Sequence, residues 1–581
     1  MAPLSDPPPA DVASPRVATP SPAPPWPRAA TPSPAPPWPR GAPERWLAGA
    51  CLALTAYFLM HLAAFHYGRD QGIYAVVGEG MTRGLAPYKD LWDFKPPGIF
   101  LLYAGARTLF GGSVHAVRVL ETASWVSLVG AFGLLSKRFV GVGWPGLLGG
   151  LLAVLTHVQL EFWHTGQPES FGAVVLVWAL VAAGAEFDPS KPGGRRKQLA
   201  AWALSGALYA CASLLKPPLG GGFLVSLGFA LRAERRRPSA GQGAKAARPW
   251  LETSAAFAVG ALAPVALTIA YFAAKGALGD LYQTLFVFTP NYTKLGFRAE
   301  WLLGFVFLAF EQWVFSFSAF NVVGLALLLG LPSLGPRGRE GAWHVVGVVA
   351  FQLVGVGLQA KFFPYHYGAA LPFAGLLAGW GYAKLWRAAR AKGRAAVAAT
   401  FLLVPLLYDA RTATRDLEDS FWSRCRLRLQ ALTTTPAGAL PLDDYLHSVA
   451  DVNAGANRKV AEWLREHTPA GSSVYIWGFE PAIYDLAGRR PASRYIYNVP
   501  QRVAWGREGA RRELLAELER ARPAAFVVER NDVFSFVTGD RLDSAASLET
   551  FDALRAVLAR DYELATTIED FDVYRRAGGA E

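Results

Sequence analysis

Long apolar runs recur between residues 46 and 410 and alternate with short loops that contain charged residues. Because a helix needs about 20 apolar residues to cross the hydrocarbon core of a bilayer, this pattern predicts about eleven membrane-spanning helices, some of them short. Two other apolar stretches, 99–110 and 301–310, are predicted to be helices that lie at the membrane interface. The predicted spans are 46–65, 115–136, 142–157, 168–186, 199–215, 217–231, 250–274, 317–333, 344–360, 368–385 and 395–409.

The composition agrees with a polytopic α-helical membrane protein. Of the 581 residues, 52% are hydrophobic and 18% are charged, whereas a soluble chain is about 45–50% apolar and about 25% charged. This balance excludes a soluble globular protein over most of the chain. Cys51 and Cys211 lie inside apolar runs and only Cys425 lies outside them, which excludes a disulfide framework and a cysteine-based zinc site.

The net charge of +12 is explained by topology rather than by a nucleic-acid partner. Basic residues concentrate in every second loop, and such loops face the cytoplasm. This alternation predicts a protein of the cytoplasmic (inner) membrane with its N-terminus inside and residues 66–114 outside. An odd number of spans then puts the C-terminal part outside as well. The basic loops include Lys137, Arg138, Lys191, Arg195, Arg232, Arg236, Arg337, Arg339, Arg387 and Arg390.

The first 45 residues form a proline-rich tail. The run ATPSPAPPWPR occurs at 18–28 and again at 30–40. Proline at this density favours polyproline II over packed structure, so residues 1–45 are predicted to be a disordered tail. A neutral low-complexity extension is favoured over a ligand for a proline-binding module.

From residue 411 onwards, charges are frequent and apolar runs are short, which predicts a small extracytoplasmic α/β domain over 411–581. This segment has no glycine-rich phosphate loop and no nucleophile elbow. A structural or acceptor-recognising domain is therefore favoured over an independent enzyme. Its predicted strands are 473–477, 494–497 and 524–528, and its predicted helices are 482–486, 507–520 and 548–560.

The first outer loop, HYGRDQGIYAVVGEGMTRGLAPYKDLWDFKPPGIF (66–100), contains the candidate chemistry. Ionisable residues near membrane depth are costly and therefore indicate function. A carboxylate such as Asp70 in a partly dry site can be a general base, and Lys95, beside two prolines, can neutralise a phosphate. Together they point to transfer from a phosphorylated lipid. An ordinary loop remains equally open, with Asp70 capping a helix and Lys95 reaching the interface.

The same loop resembles a known family signature. The run 70–74 (DQGIY), followed by 87–97 (PYKDLWDFKPP), resembles the first loop of GT-C glycosyltransferases. The resemblance is closest to the dolichyl-phosphate-mannose–protein mannosyltransferase-like family, which includes the aminoarabinose transferases of lipid A and lipopolysaccharide-core sugar transferases. The family pattern is an acidic pair, a tyrosine and an aromatic stretch ending in Lys-Pro-Pro. Here Gln71 replaces the second acid. Residues 472–495 also resemble the family's outer domain.

The resemblance implies a membrane enzyme that uses a polyprenyl-phosphate sugar. Such enzymes transfer the sugar, with inversion, to an acceptor hydroxyl of a glycan, lipid or protein on the outer side of the membrane. Carried onto this sequence, Asp70 is the base that deprotonates the acceptor, and Lys95 binds the donor phosphate as the leaving group. No nucleotide cofactor is then needed.

Further candidates lie in other outer loops. Glu169, in HTGQPESFG (164–172), is expected to be a site carboxylate near the donor, although a helix-start role is possible. Asp93 is expected either to orient Lys95 or to be an acid or base. Phosphate-binding candidates with structural or interfacial alternatives are Lys216, Lys361, His366 and Tyr367. Metal independence is predicted, with a divalent cation left open.

A transporter or lipid flippase is the alternative function. It would predict inverted repeats and broken helices with ionisable residues at the membrane midplane. The spans show no clear internal repeat, and the candidate charges cluster at the outer edge. A non-enzymatic membrane scaffold is a third hypothesis.

Overall fold

Apolar helices make up most of the computed structural model, which describes residues 42–188, 191–236, 249–297, 301–331, 334–391, 394, 421–434 and 454–578. The predicted span 395–409 and the expected domain boundary at residue 410 lie outside the described residues. Residues 1–41 of the predicted tail also lie outside them, and the first helix begins at Ala42.

Each predicted span in the described part coincides with a helix. The helices are α1 Ala42–Met60, α2 Arg69–Thr82, α3 Pro97–Phe110, α4 Val114–Phe139, α5 Trp144–Gln159, α6 Glu161–His164, α7 Pro168–Ala183, α8 Gly194–Leu215, α9 Gly222–Arg235, α10 Pro249–Ala274, α11 Leu278–Tyr282, α12 Thr289–Lys294, α13 Leu302–Phe315, α14 Ala319–Gly330, α15 Pro336–Gln359 and α16 Leu371–Ala391. Short 3₁₀ turns cover His61–Ala64, Pro217–Gly221 and Pro364–Tyr367, and a π-helical turn covers Gln283–Phe288.

Fewer helices of the described ranges are long and apolar enough to cross a membrane than the sequence predicts. Among the described residues, five helices are long and apolar enough to cross a membrane, or six if α13 and α14, bent by 106°, count as one. The expected count of eleven is therefore not confirmed. The physical reason is length: α5 has 16 residues, which span about 24 Å, less than the roughly 30 Å hydrocarbon core.

Small residues allow neighbouring helices to approach closely, as at the crossing of α8 and α10. A Cβ atom on Gly206 would lie 2.1 Å from the carbonyl oxygen of Phe257, and one on Gly260 would lie 1.8 Å from that of Ala203. Without a strong hydrophobic force between helices in lipid, such close backbone packing stabilises the bundle.

The C-terminal segment forms the predicted α/β fold around a five-stranded sheet of order β2-β1-β3-β5-β4. The strands are β1 Ser473–Trp477, β2 Arg490–Pro491, β3 Ala525–Glu529, β4 Tyr562–Ile568 and β5 Phe571–Arg576. β1 pairs in parallel with β2 and β3, and β5 pairs antiparallel with β3 and β4. The helices are Phe421–Thr434, Ala454–His467, Ala482–Ala487, Val499–Arg502, Arg507–Ala521, Ser535–Thr538, Ser544–Leu548 and Asp552–Asp561.

The predicted strand 494–497 is wrong. The Ser493 hydroxyl accepts a hydrogen bond from the backbone N–H of Tyr495, at 3.1 Å, and this local bond competes with strand pairing. Tyr495 makes only an isolated bridge to Trp92. The predicted helix 548–560 is two helices, and the hairpin of β4 and β5 is additional to the predicted elements.

The sheet domain packs directly on the first outer loop. A Cβ atom on Gly72 of α2 would lie 2.7 Å from the backbone nitrogen of Ala482, and the backbone N–H of Trp92 donates to the carbonyl of Arg494 at 2.8 Å. The loop that contains Asp70 and Lys95 is thus held between the helical bundle and the sheet domain.

Candidate functional site

Asp70 and Lys95 meet at the start of α2. Lys95 Nζ lies 3.2 Å from Asp70 Oδ2 and donates to the Tyr74 hydroxyl at 3.1 Å. Burial disfavours the charge on Lys95, but the carboxylates of Asp70 and Asp93 outweigh it and raise the pKa of Lys95. Two residues that are 25 positions apart in the chain therefore form one charge pair, as the site hypothesis requires.

A second pair, Glu169 and Lys216, lies beside the first. Lys216 Nζ forms a salt bridge with Glu169 Oε1, and it lies 5.6 Å from the centroid of the Tyr365 ring. The Tyr365 hydroxyl is within hydrogen-bonding reach of the Asp70 carboxylate. Burial lowers the pKa of Lys216, and the Glu169 carboxylate offsets part of that effect. Tyr365 thus connects the two carboxylate–lysine pairs.

Proline fixes the backbone at both lysines. Each lysine precedes a Pro-Pro pair, and steric contact with the proline ring keeps the preceding residue extended. Lys216 has φ −159° and ψ 121°, and Pro217 then begins a 3₁₀ turn. Pro97 starts α3, a position that tolerates a missing N–H. The repeated Lys-Pro-Pro pattern therefore presents two lysines from rigid turns.

Asp93 is held by contacts to the sheet domain and to the backbone. The Tyr497 hydroxyl donates to Asp93 Oδ1 at 2.6 Å, and the backbone N–H of Lys95 donates to Oδ2 at 3.1 Å. Only 1% of Asp93 is exposed, and burial raises its pKa. Two roles were expected for Asp93, and its contact with the backbone of Lys95 supports the role of orienting Lys95.

Lys361 and His366 lie near the two pairs without touching them. Lys361 Nζ is 3.2 Å from the centroid of the Tyr292 ring and donates to the carbonyl of Phe536 at 2.7 Å. His366 Nδ1 hydrogen-bonds to the carbonyl of Lys361. Burial, and then the charge of Lys95, lower the pKa of Lys361 to about 7.

The expected phosphate ligand Tyr367 points elsewhere. Its hydroxyl donates to Gln312 Oε1 at 3.0 Å. The tyrosine that reaches the site is Tyr365, two residues earlier in the same Tyr-His-Tyr run. Tyr74 is an omission from the expected site residues: it binds Lys95 and donates to Gln167 Oε1 at 3.0 Å. The sequence indicates Tyr74 as a site residue through its place in the DQGIY motif (70–74).

Gln71, the departure from the family pattern, is a buried structural amide. Its Nε2 lies 2.7, 3.0 and 2.5 Å from the carbonyl oxygens of Phe162, Trp163 and Thr165, which share its two N–H groups. Its Oε1 accepts from the backbone N–H of Gly68 at 3.0 Å. A carboxylate cannot make the three donor contacts. Gln71 therefore fixes the segment that leads to Glu169 relative to the start of α2.

Arg69 joins the same helix end to the sheet domain. Its Nε lies 2.5 Å from Glu480 Oε1 and its Nη2 lies 3.6 Å from Glu529 Oε1. The guanidinium also lies 4.2 Å from the centroid of the Phe534 ring. The residue next to Asp70 is therefore anchored in the C-terminal domain.

In the described part of the chain, no group of three or more His, Cys, Asp or Glu side chains is arranged to hold a metal ion. The described site is built instead from paired carboxylates and lysines. Its positive groups, Lys95 and Lys216, are side chains that can bind a phosphate.

Solved structures share this architecture. ArnT from Cupriavidus metallidurans bound to undecaprenyl phosphate is 16% identical, with a TM-score of 0.53 over 92% of this chain and 99% of that chain. The apo state of the same protein is 15% identical, with a TM-score of 0.54 over 93% and 100%. The chain has the GT-C fold. The expected fold is thus confirmed. No protein-family model and no curated protein sequence matches the chain.

Proposed function

We propose that the protein is a membrane glycosyltransferase that moves a sugar from a polyprenyl-phosphate donor to an acceptor hydroxyl. The proposal is supported by the GT-C fold together with the two carboxylate–lysine pairs at one end of the helical bundle. The ArnT structure that shares this fold contains undecaprenyl phosphate, which is the lipid phosphate expected as the leaving group here.

Lys95 and Lys216 bind the donor phosphate. When the bond between the sugar and the phosphate oxygen breaks, negative charge develops on that oxygen. Two ammonium groups in a water-poor site stabilise this charge more strongly in the transition state than in the ground state, which is the condition for catalysis. The phosphate replaces part of the contact that Lys95 makes with Asp70 in the free protein.

Asp70 is the base that accepts the proton of the attacking hydroxyl. The observation that carries this assignment is exposure: 25% of the Asp70 side chain is accessible, whereas Asp93 and Glu169 are each 1% exposed. An acceptor can therefore reach Asp70 but neither of the other two carboxylates. Attack from the face opposite the phosphate inverts the anomeric carbon.

Glu169 orients the sugar. Its Oε1 holds Lys216, and its buried Oε2 has no hydrogen-bond partner among the described residues. A buried carboxylate oxygen without a donor is unfavourable, so when the donor phosphate draws Lys216 towards itself, the freed Glu169 carboxylate accepts a hydrogen bond from a hydroxyl of the donor sugar.

The reaction takes place on the outer face of the inner membrane. α15 begins at Pro336, next to the basic residues Arg337 and Arg339, and ends at Gln359, next to Lys361 of the site region. The basic loops that predict the cytoplasmic side thus lie at the opposite end from the site. This arrangement supports a cytoplasmic N-terminus and an extracytoplasmic sheet domain. No nucleotide cofactor is required, and the acceptor is a glycan, lipid or protein.

The test separates phosphate binding from chemistry. Binding of undecaprenyl phosphate to the purified full-length protein is measured for Asp70→Asn, Lys95→Ala, Lys216→Ala and, as a control in an exposed loop, Lys191→Ala. The Lys95 and Lys216 variants are expected to bind at least about tenfold more weakly, since each loses a charge-assisted contact. Asp70→Asn and the control should bind normally.

Envelope glycans of a deletion strain then report the chemistry. Wild-type protein should restore the missing glycan, and Asp70→Asn should fail to restore it although it inserts and binds lipid. If Asp70→Asn fully restores the glycan, Asp70 is not the base. If both lysine variants bind undecaprenyl phosphate as the wild type does, the proposed phosphate site is wrong.

A further inference from the structure

A cavity lies at the end of the bundle opposite Asp70. Its volume is about 1050 Å³, and it is enclosed by the last turns of α4 and α7, part of α9 and the first turn of α15. α7 begins beside Glu169 in the catalytic region and ends at Ala183 next to this cavity. Its 16 residues separate the two places by about 24 Å. The cavity is therefore distinct from the candidate active site.

The polar rim of this cavity is basic. Lys137, Arg138 and Arg236 line it together with Arg337. A neighbouring cavity of about 580 Å³ shares Arg236 and adds Arg232 and Arg339. Together the two cavities present six cationic side chains against three acidic ones, which are Glu186, Asp188 and Glu340. The net charge of the combined rim is thus positive.

Two of the four cations that line the larger cavity are available to a ligand. Arg236 is paired with Glu340 at 3.0 Å, and Arg138 donates to the carbonyl of Val181 at 3.1 Å. Lys137 and Arg337 are exposed and form no salt bridge with any residue in the described ranges. An anion can therefore be bound without breaking an existing pair.

The walls are apolar and belong to membrane-embedded helices. They include Leu135 and Phe139 of α4, Val181 of α7 and Phe229 of α9. A free phosphate or a nucleotide gains nothing from such walls, whereas the acyl chains of a lipid do. Basic pockets between transmembrane helices on the cytoplasmic side match the headgroups of anionic lipids.

We propose that this cavity, with Lys137 and Arg337 at its rim, binds the headgroup of an anionic phospholipid of the inner leaflet. The bound lipid spans the ends of α4, α7 and α15. Because those helices also position Glu169 and the Lys361 loop, the lipid stabilises the bundle from the end opposite to the reaction. This site rests on the membrane orientation proposed above but not on the transferase activity.

The test compares matched double variants of the full-length protein by native mass spectrometry with phosphatidylglycerol and phosphatidylcholine. Lys137→Gln/Arg337→Gln removes the two cations of the larger cavity that form no salt bridge within the described ranges. Arg196→Gln/Lys197→Gln removes the same charge from exposed positions at the start of α8, at the same end of the bundle but outside the cavity. Lys137→Arg/Arg337→Lys keeps the charge and checks that the site tolerates substitution.

The rim variant is expected to bind phosphatidylglycerol roughly 30-fold more weakly, from the contribution of two basic residues near an anionic headgroup. The α8 control and the charge-preserving variant should bind as wild type does, and phosphatidylcholine should bind weakly throughout. Glycerol phosphate should not compete. An equal loss in the α8 control, or no loss in the rim variant, would overturn the proposal. Displacement by glycerol phosphate, or preferential binding of undecaprenyl phosphate, would assign the cavity to another ligand.

Discussion

Replacing Gln71 with glutamate tests whether a buried amide explains the departure from the family's acidic pair. Glu and Gln have nearly the same shape, and both can accept the hydrogen bond that Gly68 donates at 3.0 Å. Only the donor atom differs. The comparison therefore isolates the contacts of Nε2 to the carbonyls of Phe162, Trp163 and Thr165.

The expected cost follows from the number of donor hydrogens. The amide has two N–H groups, which satisfy the carbonyls of Phe162 and Thr165 most closely, at 2.7 and 2.5 Å. The carbonyl of Phe162 also accepts from Thr165 Oγ1 at 3.2 Å and from Arg118 Nη2 at 3.3 Å, so only the Thr165 carbonyl loses its donor, at a cost of about 1–3 kcal/mol. The new carboxylate, buried against carbonyl oxygens, adds a cost of about 3–5 kcal/mol, so Gln71→Glu should lower the free energy of unfolding by roughly 4–8 kcal/mol. At about 2.1 cal/mol/K per residue, the unfolding entropy of a 581-residue chain is about 1.2 kcal/mol/K, so the melting midpoint should fall by roughly 3–7 °C.

The pH dependence has a defined sign. The new carboxyl is buried against carbonyl oxygens, so its pKa in the folded state is higher than in the unfolded state. The stability deficit relative to wild type is therefore largest above the folded-state pKa and shrinks as the pH falls, because the protonated carboxyl regains one donor. The protonated carboxyl has one donor hydrogen where the amide has two, so part of the deficit remains.

Thermal unfolding of the purified protein in detergent, followed at neutral and acidic pH, measures this effect. Gln283→Glu is the matched control, since Gln283 is exposed on the π-helical turn and the substitution adds the same charge. It should leave the midpoint within about 1 °C of wild type. If Gln71→Glu melts no lower than this control, the amide does not hold the segment 162–165, and the account of the departure is wrong.

Three further predictions concern the site. Asp93→Ala leaves the Tyr497 hydroxyl and the Lys95 N–H without their acceptors, so unfolding should require about 2–4 kcal/mol less free energy in a denaturant titration. Asp93→Asn keeps one of the two acceptor oxygens and should lose about half as much, and equal losses would contradict the orienting role. The pKa of Lys361 is about 7, so Lys361 is cationic below that pH, and binding of undecaprenyl phosphate should weaken as the pH rises through 7. Lys361→Arg stays charged and should remove this pH dependence. An identical pH profile in both proteins would show that Lys361 does not contact the phosphate. Sugar transfer should survive a chelator, whereas loss that manganese restores would establish a metal requirement.

The lysines of the site could be predicted because their geometry is local. Proline restricts the residue before it, so the Lys-Pro-Pro pattern alone indicates that Lys95 and Lys216 emerge from rigid turns. Choosing between Tyr365 and Tyr367 was beyond such reasoning. Both lie in or beside one short 3₁₀ turn, and only packing against Gln312 and Asp70 decides which hydroxyl faces the site.

Hydrophobic periodicity and charge placement determined the helical membrane class, the positions of the helices, the α/β character of the C-terminal part and the loop that contains Asp70 and Lys95. These properties follow from interactions between near neighbours in the chain and between the chain and its solvent. Only the tertiary structure decided the contacts across long separations, such as Arg69 with Glu480, 411 positions apart, and Glu169 with Lys216. Such pairs depend on how helices and sheet pack, and that packing is set by all the side chains at once rather than by any local pattern.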